Sequence, residues 1–143
     1  MLVRMGRRTE LGDIHMSLDV TLCEALPVPR AACLWCINDD DDHVHHGEVF
    51  FEQNITHNLN EMAQEAGIYK TLWHPDSLFD EPRARDIVEA LRQGLEKLQA
   101  DPEHFTTLEP ANKWGTYRTF VPWLQRYIAA CLEHPDALVM VSR

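Results

Sequence analysis

Between Cys33 and His46 the chain reads CLWCINDDDDHVHH, which places two thiols and three imidazoles around four consecutive aspartates. Zinc favours four thiolate or imidazole ligands in tetrahedral order, and Cys-x2-Cys lets one tight turn present both sulfurs to one ion. Cys33 and Cys36 have that spacing. His43 and His45 are two apart, so an extended segment points both imidazoles the same way. A hairpin with the cysteines on one arm and the histidines on the other closes a four-ligand site with Asp39 to Asp42 at its tip. Cys23 or His46 is a substitute ligand. Such a closed shell is structural, because no position is left for water. A polar loop with free cysteines fits the same residues. A redox dithiol fits them poorly, since nearby negative charge raises a thiol pKa.

A second polar group is spread over three segments: NITHN (54–58), LWHP (72–75) and NKWGTY (112–117). Asn54, His57 and Asn58 at a strand-to-helix junction can present amide donors and an imidazole to a small ligand. Asn112, Trp114 and Tyr117 add an amide and two flat ring faces, and Gly115 allows close backbone approach. In the competing assignment Asn54 and Asn58 cap a helix and Trp114 plugs the core. No nucleophile–base–orienter set, Gly-rich phosphate loop or paired carboxylate is legible, so no catalytic residue is assigned.

The elements that must position these residues follow from periodicity. MSLDVTL (16–22) alternates, with Leu18, Val20 and Leu22 on one face, and EVFFEQN (48–54) is rich in strand formers. Thr56 is placed to cap a helix carrying Leu59, Met62, Ala63 and Ala66, with Gly67 as its stop. Residues 68–73 form an apolar turn or short helix. A helix is predicted over 82–98, with Ala84, Ile87, Val88, Leu91, Leu95 and Leu98 in one stripe. Asp101-Pro102 opens a short helix. The last helix, 117–133, buries Phe120, Val121, Leu124, Tyr127, Ile128 and Cys131, and ALVMVSR closes the chain as a strand. The predicted fold is α+β: a small sheet of N-terminal, middle and C-terminal strands packed against about three helices. Residues 1–15, which hold Arg4, Arg7 and Arg8, read as a loose extension, and 16–143 as one domain. Removing 24–47 leaves a plain β-hairpin, so the Cys/His stretch is an insertion on that domain.

Charge narrows the function. With 23 acidic and 13 basic residues the net charge is −10, which repels a phosphate backbone and argues against direct nucleic-acid binding. An acidic decoy that occupies a nucleic-acid-binding surface stays open, although the acidic residues form no duplex-like array. No apolar run approaches the roughly 20 residues of a membrane span. No secretory signal follows the basic N-terminus, so a cytosolic protein with reduced or metal-bound cysteines is expected.

MSLDVTL, VFFEQNITHNLNEMAQEAGIYKTLW, NKWGTYRTFVPWL and YIAACLEHPDALVMVSR together resemble a family of small phage and prophage proteins of uncharacterised activity. The resemblance covers 16–143, and its specific parts are the NITHN segment, the WGTY loop and the closing VSR. Some members carry a Cys/His insertion after the first strand. The resemblance implies an accessory protein inside a bacterial cell and supplies no activity. The expectation is therefore a protein-binding accessory protein with structural zinc. The rival is a small-ligand-binding protein or enzyme built on the Asn54/His57/Trp114 cluster. Oligomeric state is not legible.

Overall fold

The alternation of MSLDVTL produces a strand, and pairing on both its sides makes that strand the centre of the sheet. A computed structural model describes residues 17–26 and 45–143. Strand β1 (Ser17–Leu26) runs antiparallel to β2 (His45–Thr56) and to β3 (Leu138–Ser142), in the order β2-β1-β3. Leu18, Val20 and Leu22 are buried, while Asp19 and Thr21 between them are half-exposed. The alternation ends at Cys23, which is also buried. There the register shifts, so that Leu22 faces Phe51 but Cys23 faces Val49. The extra residue, Phe50, is a bulge, and the strand's ordinary in-and-out order is lost with it: Val49 and Phe50 are both exposed.

Pairing continues to Ala25↔His46 and Leu26↔His45. The strands thus reach into the expected 24–47 insertion, with Leu26 and His45 paired at the limit of the described residues. Cys33, Cys36 and His43 lie outside the described residues, as does the 1–15 extension.

The helices start and stop where local chemistry dictates. The Thr56 hydroxyl accepts from the Asn58 N–H at 3.2 Å and opens a 3-10 turn (His57–Leu59) that runs into α1 (Asn60–Glu65). Gly67, with φ +81°, ends it as expected. After α2 (Tyr69–Trp73) comes α3 (Ala84–Ala100), where the Asp86 carboxylate accepts from the Arg83 N–H at 2.9 Å. Asp101 caps α4 (Pro102–Thr106), and a reciprocal Thr116–Thr119 pair caps α5 (Tyr117–Glu133). The architecture is α+β, with the terminal strands paired and the helices α3 and α5 packed together beside the sheet.

One core joins these elements. Ala84, Ile87, Leu91 and Leu98 of α3 meet Phe120, Leu124, Tyr127, Ile128 and Cys131 of α5 within it, with Val88, Leu95 and Val121 at its margin. Trp123, absent from the predicted stripe, is also buried; it meets Tyr127 edge-on at 5.6 Å, and Phe51 of β2 stacks on the same tyrosine at 5.9 Å. Where α3 crosses the segment before α2 there is no room for a side chain, because a Cβ on Gly94 would lie 2.3 Å from Ile68 Cγ2.

Gly94 supplies a test with a definite sign. In an exposed helix interior Gly→Ala stabilises by about 1 kcal/mol. Here the new methyl group must displace Ile68, and we expect Gly94→Ala to destabilise by about 1–3 kcal/mol in urea melts. A gain in stability would show that α3 and Ile68 are not in close contact.

Candidate functional site

Trp73, at the last position of α2, joins the segments that carry the polar candidates. It is 3% exposed. Its indole Nε1–H donates to His57 Nδ1 at 2.7 Å, and the two rings lie 6.0 Å apart. Because Nδ1 accepts, the tautomer this bond selects carries its proton on Nε2. The ring of Tyr69 stacks on Trp73 at 5.3 Å, and the Tyr69 hydroxyl lies 3.4 Å from His74 Nε2. The Trp73 carbonyl accepts from Arg143 Nη1 at 3.1 Å, and the same guanidinium nitrogen lies 3.1 Å from Asp76 Oδ1. His57 of NITHN, Trp73 of LWHP and Arg143 of the closing VSR are thus tied in sequence. A buried indole N–H and a carbonyl at a helix end both need partners, and these residues supply them.

The WGTY loop closes against the same region. Gly115 has φ +96°, and a Cβ there would lie 2.6 Å from Thr56 Cγ2 and 2.9 Å from Leu59 Cγ. The close approach that the sequence suggests for Gly115 is therefore made to the chain's own NITHN segment. Asn112 Oδ1 accepts from the Trp114 N–H at 2.9 Å, across Lys113 at φ +65°. The Tyr117 hydroxyl donates to the Leu98 carbonyl at 2.9 Å, and its N–H donates to Glu109 Oε2 at 2.9 Å, which fastens the start of α5 to the last turns of α3. Asn54 Nδ2 donates across the strands to Asp19 Oδ1 at 2.6 Å.

The structure brings the three segments together, as expected, and engages most of their polar groups in the fold, while Asn58 Nδ2 is buried with no hydrogen-bond partner among the described residues. Thr56 makes the cap through its hydroxyl, so Asn58 contributes its backbone N–H and neither asparagine side chain acts as the cap. Trp114 does not plug the core: its side chain is 60% exposed. Among the described residues no group of three or more His, Cys, Asp or Glu is placed to hold a metal ion, and Cys33, Cys36 and His43 are not among those residues. The two described cysteines, Cys23 and Cys131, are free and buried. Burial raises both thiols, that of Cys131 to about 12, so neither is poised as a nucleophile near neutral pH.

A different surface was missed by the polar pattern. A groove of about 490 Å³ runs along β3, lined by Leu138 to Val141 and Arg143 on one side and by Pro75, Asp76 and Asp80 to Pro82 on the other. A second concavity, of about 270 Å³, lies on the open face of the sheet between Thr21, Cys23 and Val49 and shares Met140 and Val141 with the first. The signal for it was present in the closing strand, whose Leu138, Val139, Met140 and Val141 are apolar without alternation. No protein-family model, curated protein or solved structure matches the chain.

His57 and Trp114 separate a structural cluster from a ligand site. His57→Ala leaves the buried Trp73 N–H without its acceptor, and we expect a loss of about 1–3 kcal/mol in urea melts. Trp114→Ala removes an exposed ring and is expected to change stability by no more than about 0.5 kcal/mol. A native-like melt of His57→Ala would instead mark the imidazole as kept for binding.

Proposed function

We propose that this chain is a phage- or prophage-encoded accessory protein that acts in the bacterial cytosol by binding another protein rather than by catalysis. The observation that carries this reading is the pair of concavities about β3, joined through Met140 and Val141. Met140 is 39% exposed, and Leu78 and Phe79, in the loop that walls the groove, are exposed too. Apolar side chains left in water around a concave surface are a characteristic of interaction sites, above all on a chain with net charge −10 that is otherwise well solvated. Most groups of the polar cluster about Trp73 already serve the fold, and Asn58 Nδ2, the one without a partner among the described residues, is buried, which leaves a small ligand little to bind. No described helix is long and apolar enough to cross a membrane. The family resemblance supplies the phage setting.

The test is photo-crosslinking in bacterial cells, with a benzophenone amino acid at Met140 and, as control, at the exposed Gln93 on α3. A discrete protein adduct from position 140 that is missing from position 93 is the expected result. No adduct, or the same adducts from both positions, would sink the binding proposal.

Zinc belongs to this proposal as a structural element, held by Cys33, Cys36, His43 and His45. What supports it is the hairpin itself: Leu26 and His45 are paired, so strand pairing holds the ends of the Cys/His segment side by side. Such preorganisation lowers the entropy lost on closing a ligand set. Mass spectrometry of the purified protein should find about one zinc per chain, with loss of the metal in Cys33→Ser/Cys36→Ser. Equal metal content in both proteins would remove the assignment.

A further inference from the structure

We propose that the outer edge of β3 takes an extended, basic segment of the partner protein as a fourth strand. This inference rests on the binding function proposed above and names the chemistry of the partner.

Strand order leaves β3 at an edge, and its first half is already covered by the chain. The Val139 N–H, which points away from β1, donates to the Pro82 carbonyl at 2.8 Å, and the Ala84 N–H donates to the Ala137 carbonyl at 2.9 Å. These bonds set Pro82 opposite Val139 in an antiparallel ladder. Proline has no N–H, so Pro82 cannot return a bond to the Val139 carbonyl. Outward-facing residues alternate along a strand, so the next one is Val141. The position that would face it if the ladder continued is Asp80, but no backbone bond joins the two among the described residues. The chain before Pro82 departs from the edge, and the groove opens in the space it leaves. The Val139 carbonyl and the N–H and carbonyl of Val141 therefore form a short template for strand addition.

Charge decides what kind of strand fits. Asp76, Asp80 and Glu81 line the groove, and the one cation among its described lining residues, Arg143, is already bonded to Asp76. Two carboxylates are left without a lining counterion beside the apolar surface of Pro75, Pro82, Leu138 and Val141. A segment that alternates apolar and basic residues matches both features, because successive side chains of a strand point to opposite faces. The chain's own basic stretch, Arg4 to Arg8, is the other cationic candidate. A strand antiparallel to β3 runs in the same direction as β1, so it ends beside Leu138. Ser17, where β1 begins, lies at the opposite end of the sheet, near Ser142. In the antiparallel arrangement that continues the Pro82–Val139 ladder, the chain's own segment would have to return the length of β3 through residues 9–16, and a strand from another molecule needs no such return.

The probe is an alternating Arg–Val octapeptide added to the full-length, isotope-labelled protein. Saturable binding is expected, with amide shifts concentrated at Val139 to Arg143 and at Asp80 and Glu81 and with slowed exchange of the Val141 N–H. Asp80→Lys/Glu81→Lys, both exposed positions, should weaken binding by about tenfold or more. Val141→Pro should do the same with the β1–β3 pairing retained, since its N–H faces outward. An alternating Glu–Val octapeptide should not bind. Equal binding of both peptides, shifts on another surface, or no binding would overturn strand addition. If crosslinking from Met140 nevertheless persists, the binding function stands and only its strand-addition form falls. A Val141 N–H already protected in the free protein, and released by Arg4→Glu/Arg7→Glu/Arg8→Glu, would assign the edge to the chain's own N-terminal segment and likewise overturn the proposal.

Discussion

A three-stranded sheet has one strand that is paired on both sides, and in this protein every other element is placed by it. β1 carries Leu18, Val20 and Leu22 into the core, and both other strands pair with it, β3 being held on its far side as well by the Pro82 and Ala84 bonds. Burying three such side chains contributes on the order of 5–9 kcal/mol before the entropy of ordering them is counted. The face they define must be covered, and the paired helices α3 and α5 share that core. The edges left over, β2 with its bulge and β3 with its open second half, are where the chain meets its surroundings.

The polar residues that look chemical in the sequence hold those helices and strands in relation. His57, Trp73 and Arg143 connect the end of β2, the end of α2 and the end of β3 through consecutive hydrogen bonds. Gly115 brings the loop before α5 onto Thr56 and Leu59, and Tyr117 fastens α5 to α3. Asparagine, histidine and tryptophan in loops are as well suited to closing the orphan groups of helix ends as to holding a ligand. Residue type alone does not separate the two uses.

This explains which parts of the molecule were legible. Periodicity located the strands and helices, because burial of one face imposes it directly. Capping chemistry located the helix ends at Thr56, Gly67 and Asp101. The juxtaposition of the NITHN, LWHP and WGTY segments was also legible. What their side chains do once together was not, since it depends on partners distant in the chain, such as Arg143 bonding to Trp73. Trp123 escaped the predicted stripe although it stands one turn before Tyr127 on α5 and packs on that ring within the same helix. The groove beside β3 arises from the departure of the chain before Pro82, a backbone path that no local pattern encodes. The Cys/His stretch rests on its spacing alone, since Cys33, Cys36 and His43 lie outside the described residues.

The pairing of β1 with β3 also sets a schedule for folding on the ribosome. Cys23 and Leu138 are 115 positions apart and adjacent in the sheet. A nascent chain therefore carries β1 paired with β2 alone until β3 emerges, and a two-stranded hairpin is marginally stable by itself. Through that interval the Val20 and Leu22 side chains lack their final cover and one side of β1 is unpaired, which is the condition under which strands associate between molecules. High contact order of this kind slows folding and rewards slow elongation or a holding chaperone. Synthesis of β3 is thus the step that closes the second side of β1.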